Sequence, residues 1–272
     1  MPLLFQPGAH WHYSFNSELV GRLVEIVSGQ DFESFLQERI FRPLCMVDTS
    51  FMVPESKRGR FCQCYMREGQ EAGMIALNKG PKDDRGLRNI SKGLDKDPMA
   101  AYFKGPSDPN FHASGSGGLV GTVSDYARFS QCMLNGGILD GARILSRKSV
   151  QFMTSNQLGR RAGEDLDMRM MSLDMPGYTE IGSPGVGFGL GFSVVLHPAL
   201  AASMSSPGNF AWGGAASTSF WVDPEEELLV VFATQFFFWD DLRMPLRAQL
   251  GNLVYACVAD GNVSSTGRAS KL

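Results

Sequence analysis

The four histidines and five cysteines of this 272-residue chain could bind a metal or attack a carbonyl, but their spacing argues against both. His10 and His12 are one residue apart, while His112 and His197 stand alone, and no Gly-x-Ser-x-Gly elbow accompanies them. Neither a Ser-His-Asp triad nor a zinc site follows from that pattern. Cys62 and Cys64 lack the two-residue spacer of common zinc sites, and Cys45, Cys132 and Cys257 lie far away. An odd number of scattered cysteines reads as reduced structural thiols inside a cell, so no metal is expected. Gly185, Gly187, Gly189 and Gly191 alternate with apolar residues as in a strand. No helix or ribose-binding acid follows in place, which excludes a dinucleotide loop, and no cofactor is expected. The last three residues, Ser270, Lys271 and Leu272, are the tripeptide read by the peroxisomal import receptor. The polar stretch from Gly261 to Ala269 would keep that address solvated.

The elements that must position any site follow from apolar periodicity. Leu19, Val20, Leu23, Val24 and Val27 recur at helical spacing between Asn16 and Gly29, with Asn16 or Ser17 able to cap. A second helix starts at Asp31 and ends before Pro43. Thr122 and Asp125 have capping-box spacing ahead of a helix from about Ser124 to Leu134, stopped by Gly136-Gly137. Asp140-Gly141 predicts a tight hairpin within Ile138–Leu145, and Ser146 caps a short helix through Met153. Residues 79–110 and 159–184 read as irregular stretches, the first a long surface loop. Phe210–Val222 and Leu228–Gln235 read as two antiparallel strands joined by Asp223-Pro224-Glu225-Glu226-Glu227. A last helix from Arg243 to Val258, with Leu246, Leu250, Leu253, Val254 and Cys257 on one face, should pack onto the sheet. Helices early and strands plus a helix late indicate an α+β organisation. With 43% hydrophobic residues, 19% charged and a formal net charge of -3, the chain offers no basic face for nucleic acid. No apolar run is long enough for membrane insertion. A small-molecule substrate is the default expectation.

Three segments carry a resemblance. They are Pro7-Gly8-Ala9-His10-Trp11-His12-Tyr13-Ser14, the Phe111–Met133 stretch with Ser114-Gly115-Ser116-Gly117-Gly118-Leu119 and Ser124-Asp125-Tyr126-Ala127-Arg128, and Trp212-Gly213-Gly214-Ala215. Together they resemble the serine β-lactamase-like superfamily, on the side of its class C-related esterases and acyltransferases, from Phe5 to about Asp260. The resemblance implies a β-lactamase/transpeptidase-like fold: an antiparallel sheet flanked by helices, plus a helical region. It implies acyl transfer through a serine-bound acyl-enzyme, on a small ester or thioester. Tyr13 matches the proton-relay tyrosine; a free phenol has a pKa near ~10, so a neighbouring cation is needed to make it a useful base. Ala215 N–H would be one oxyanion donor, and Phe15, Asn16, Trp212, Gly213 and Gly214 would line the substrate. Penicillin-directed members usually read Tyr-x-Asn, whereas here the third residue is Phe15 and Asn16 is displaced by one. They also tend to place Lys-Thr-Gly where this chain has Trp212-Gly213-Gly214, so the cation for a β-lactam carboxylate is gone. Both departures favour esters or thioesters. Taken alone, Tyr13 would be a half-buried aromatic beside Trp11, and Trp212 would pack a strand.

The same resemblance calls for Ser-x-x-Lys, whose spacing puts nucleophile and lysine on one helix face. No serine of this sequence has lysine three positions on. In the resembling proteins that motif precedes the tyrosine, on a helix that follows strands of the central sheet. The expectation is therefore a β-lactamase-related portion at 1–260 without its N-terminal strands and nucleophile helix, then a flexible tail at 261–272. An open sheet edge and uncovered apolar helix faces should result. Three accounts stay open: an incomplete product of a peroxisomal hydrolase, a non-catalytic binder of an acyl compound or partner, or an unrelated nucleophile such as Ser14 or a cysteine. Without the import signal the chain would be cytoplasmic.

Overall fold

The computed structural model describes residues 3–67, 87–89, 113–172, 184–237 and 246–258. Helix α1 (Asn16–Ser28) ends at Gly29 in the left-handed region, φ 70°, as the sequence predicts. Its N-cap is Phe15, with no side-chain cap, and not Asn16 or Ser17. The predicted amphipathic face is present but outward: Leu19, Leu23, Ile26 and Val27 are exposed, and Gly21 is the buried residue of the helix. Asp31 caps α2 (Phe32–Leu36) by accepting from Ser34 N at 2.9 Å, and the helix widens into a π turn over Gln37–Phe41. After a 3-10 turn at Glu55–Arg60, β1 (Tyr65–Arg67) pairs antiparallel with β2 (Leu87–Asn89). The rest of the expected 79–110 loop lies outside the described residues.

Helix α3 (Val123–Leu134) starts where Thr122 accepts from Asp125 N at 3.1 Å. The expected box is only half made, because the Asp125 carboxylate turns away to accept from Asp48 N at 2.7 Å and Thr49 Oγ1 at 2.8 Å. Strands β3 (Ile138–Leu139) and β4 (Ala142–Arg143) form the predicted hairpin, with Asp140 and Gly141 at φ 48° and 83°. Ser146 caps α4 (Arg147–Met153) through Ser149 N. The stretch expected to be irregular contains a small hairpin, β5 (Arg160–Arg161) and β6 (Glu164–Asp165), and the short α5 (Met168–Met171); residues 173–183 lie outside the described set.

The main sheet is antiparallel, in the order β11-β10-β9-β8-β7. It comprises β7 (Val186–Phe188), β8 (Ser193–Val195), β9 (Phe210–Gly213), β10 (Ser219–Asp223) and β11 (Leu228–Phe232). The expected single strand from Phe210 to Val222 is thus a hairpin that reverses at Gly214–Thr218, where Gly214 N donates to Thr218 O at 3.1 Å and Ser217 adopts φ 59°. Short β12 (Phe236–Phe237) runs parallel to β1 and begins a second sheet, β12-β1-β2.

Helix α3 holds the two halves together. One side meets the main sheet, where Met133 joins Val150, Phe192, Val194, Phe210, Phe220 and Val222; Cys132 faces Phe41, Leu44 and Met46 of the early helices, and Phe129 touches both clusters. Helix α6 (Leu246–Tyr255) is fixed differently from the predicted apolar face, since Leu253 is 68% exposed and Cys257 is exposed. The inward residue is Tyr255, whose phenol donates to Asp223 Oδ2 at 2.8 Å and accepts from Asn209 Nδ2 at 2.8 Å. Burial, and then the Asp223 carboxylate, push that phenol above its ordinary range. Fully buried Asp223 also accepts from the backbone N–H groups of Ser206, Glu225 and Glu226, so its desolvation is offset on both oxygens.

Candidate active site

Tyr13 and Trp212, distant in sequence, come together: their rings stack with centroids 6.0 Å apart at 28°. Trp212 meets Phe188 of β7 edge-on at 5.2 Å, and Phe188 meets Trp11 at 5.4 Å. The loop carrying Tyr13 is pinned at Trp11, whose N–H donates to Met171 O at 3.0 Å. A chain of three further aromatic rings, Trp212, Phe188 and Trp11, thus backs the half-buried Tyr13 against the end of β9 without a covalent link. Phe15 and Asn16 are exposed at the start of α1; among the described residues, the ring from this loop that meets Trp212 is that of Tyr13.

Gly213 and Gly214 have a reason the sequence did not reveal. A Cβ on Gly213 would lie 2.7 Å from the Arg247 guanidinium and 2.8 Å from Thr218 O; one on Gly214 would lie 2.6 Å from Thr218 Oγ1. Arg247 of α6 donates to Gly214 O at 3.1 Å and to Thr218 O at 3.2 Å, clamping both sides of the β9–β10 reversal. Ala215 stands exposed at this turn, and its N–H donates to no group among the described residues. A backbone donor held on a braced turn can stabilise an oxyanion with little reorganisation.

A third element docks on α1 through Glu18, in the first turn of that helix. Its carboxylate accepts from Ser114 Oγ, from Gly115 N at 3.2 Å and from Ser116 N at 3.3 Å. Ser114 Oγ in turn accepts from Ser116 N at 3.0 Å and Gly117 N at 3.1 Å. The glycine-rich loop that by sequence could have been a simple turn is therefore docked on the helix that Tyr13 leads into. Sequence reasoning missed Glu18, Phe188 and Arg247; the one available signal was Glu18, an acid in the first turn of a helix with no other stated duty.

Among the described residues, no cluster of three or more His, Cys, Asp or Glu side chains could hold a metal, and no helix is long and apolar enough to cross a membrane. Ser270, Lys271 and Leu272 lie outside the described residues.

A family profile described as Beta-lactamase matches residues 1–252. The chain belongs to the Beta-lactamase family. It is 28% identical over 259 residues to esterase EstB of Burkholderia gladioli, covering 94% of this chain and 57% of that protein. It is 25% identical over 245 residues to monacolin J acid methylbutanoyltransferase of Aspergillus terreus, covering 88% and 52%. The solved structure of EstCE1, a hydrolase with promiscuous acyltransferase activity, superposes with a TM-score of 0.68 at 21% identity, covering 94% of this chain and 58% of that one. The expected β-lactamase/transpeptidase-like fold is thereby confirmed. Within the β-lactamase family the similarity runs to esterases and acyltransferases, and the chain spans a little over half the length of the curated relatives it matches.

Proposed function

We propose that this β-lactamase-family chain supplies the proton-relay and oxyanion walls of a site that transfers an acyl group from a small ester or thioester. The observation that supports this reading is the Tyr13–Trp212 stack, which joins the candidate relay residue to β9, the strand that leads into the turn bearing Ala215 N–H. In the reaction, a serine oxygen adds to the acyl carbonyl and the oxyanion is held by Ala215 N–H. Tyr13 passes the serine's proton to the departing alcohol or thiol. Water or an acceptor alcohol then takes the acyl group from the serine. The 272 residues contain no Ser-x-x-Lys, so the acyl-enzyme step requires that pair from additional polypeptide. Phe15, and Trp212-Gly213-Gly214 in place of a lysine-bearing strand, support esters over β-lactams.

The test is hydrolysis of a chromogenic short-chain ester. The chain by itself should give no turnover, and a polypeptide that adds a Ser-x-x-Lys helix should give turnover that falls at least about a hundredfold on Tyr13→Phe, the lower range for a positioned acid–base group. Hydrolysis by the 272-residue chain that is lost on Tyr13→Phe would overturn the need for an outside nucleophile. Turnover of the supplemented protein that is indifferent to Tyr13→Phe would remove the relay role.

Ser270-Lys271-Leu272 supports a peroxisomal location through the import receptor. An N-terminally tagged chain should be peroxisomal and become cytoplasmic when Leu272 is deleted; unchanged import on deletion would refute the address.

A further inference from the structure

The described residues line a cleft of about 500 Å³, open to solvent on one side, between the Phe41–Pro54 segment, the Glu55–Arg60 turn and Val120–Thr122. It shares no residue with the Tyr13–Trp212 contact. Its inner wall is largely apolar: Phe41 and Met46 are 5% exposed, Val53, Phe61 and Val120 are partly buried, and Thr49 is the buried polar side chain among them. Its rim is cationic, carrying Arg42, Lys57 and Arg60 against one carboxylate, Asp48.

That carboxylate braces two of the cations. Asp48 receives Lys57 Nζ at 2.6 Å and both Arg60 Nη atoms, at 3.3 and 2.9 Å, while Lys57 also donates to Val47 O at 2.9 Å. The two cations hold the Asp48 carboxyl down to about 2, well below the usual carboxylate range. Lysine has three donors and arginine five, so each braced cation keeps N–H groups to spare. Arg42 is exposed, and its guanidinium has no hydrogen-bond or ion-pair partner among the described residues. Even with the buried Asp125 behind the rim counted, the positive charge exceeds the negative.

Two uncommon backbone features shape these walls. The π turn Gln37–Phe41 is closed by Arg42 N donating to Gln37 O at 3.0 Å, and it sets Phe41 and Arg42 on the cavity. Cys45, also on the wall, adopts φ 52° without being glycine. Single π turns and left-handed non-glycine residues carry a cost and concentrate at functional sites. An apolar chamber of a few hundred cubic ångströms with a few convergent polar groups is the form of a small-molecule site.

We infer that this cavity is a second binding site, for an aliphatic carboxylate of medium chain length, its alkyl chain on Phe41, Met46, Val53 and Phe61 and its carboxylate at Arg42 and Lys57. The inference is independent of the acyl-transfer reading, since the two regions share no residue. It is tested by titrating the full chain with octanoate, following methyl and amide resonances. Octanoate should bind saturably, while acetate, which lacks the chain, and 1-octanol, which lacks the charge, should bind at least about tenfold more weakly. Arg42→Gln, on an exposed side chain, should weaken octanoate about tenfold with an unchanged circular dichroism spectrum, and Trp212→Ala should leave it unaltered. The site is refuted if octanoate fails to bind, if 1-octanol matches it, or if Arg42→Gln binds as the wild type does. Loss on Trp212→Ala with an unchanged circular dichroism spectrum would also overturn it, by assigning the binding to the Tyr13–Trp212 region.

Discussion

Gly115→Ala is the sharpest test of how the glycine-rich loop meets α1. A Cβ at this position would lie 2.0 Å from Ser17 O, 2.8 Å from its carbonyl carbon and 3.3 Å from Glu18 Cα. Carbon–oxygen contacts close to no less than about 3.3 Å, so the loop must retreat by roughly 1.3 Å. The Gly115 and Ser116 N–H bonds to Glu18, already 3.2 and 3.3 Å long, cannot survive that displacement. Overpacking costs about 1–3 kcal/mol, and losing two partly solvated bonds to a carboxylate adds about 1–2 kcal/mol. A loss of roughly 2–5 kcal/mol follows. Gly117→Ala is the internal control, because a Cβ there meets nothing within 4 Å and its φ is ordinary. It should stay within about 1 kcal/mol of the wild type. Urea unfolding followed by tryptophan fluorescence gives both values on one scale. A Gly115→Ala protein within 1 kcal/mol of the wild type, or a Gly117→Ala protein equally damaged, would show that the close approach is not as described.

Two further outcomes follow from the buried and braced carboxylates. Asp223→Asn places an amide N–H₂ against groups that already donate, Ser206 N and the Tyr255 phenol on one side or Glu225 N and Glu226 N on the other. Unfolding should show a loss of about 2–4 kcal/mol, exceeding the loss from Tyr255→Phe; equal stability of Asp223→Asn and wild type would contradict the four-bond arrangement. The Asp48 carboxyl is depressed from 3.8 to about 2, so its pairing stabilises the folded chain above its ordinary pKa and is lost as the pH falls through 4 towards 2. Asp48→Asn should therefore be the less stable protein at pH 7, with the gap narrowing between pH 4 and pH 2; a gap independent of pH would count against the assignment.

What the sequence made legible was local. The Asp140-Gly141 turn, the Ser146 cap and the Thr122 cap are decided within four residues of chain, and each forms. Failures arose where a distant partner decides. Phe210–Val222 is apolar enough to read as one strand, yet Gly213 and Gly214 permit a reversal that Arg247, from α6, holds shut. The last helix has an apolar stripe, but the hydrogen bond from Tyr255 to buried Asp223 sets its rotation and leaves Leu253 in solvent. The site shows the same division. The motifs singled out Tyr13 and Trp212, and the fold brings their rings together, whereas Glu18, marked only as a first-turn acid, and Arg247 act across the fold.

The long-range contacts of the fold also set a timetable. Glu18 and Ser114 stand 96 residues apart, and Cys64 and Gln235, bonded where β1 runs beside β12, stand 171 apart. During synthesis at roughly 5–20 residues per second, β1 must wait on the order of 10–30 s for its parallel neighbour. Tyr13 waits for Trp212 in the same way, with the apolar stripe of α1 already outside the ribosome. Such long-range closure makes folding slow and places site assembly at its end. Stalled or shortened translation products therefore lack the aromatic stack, and these are the species a chaperone would meet first.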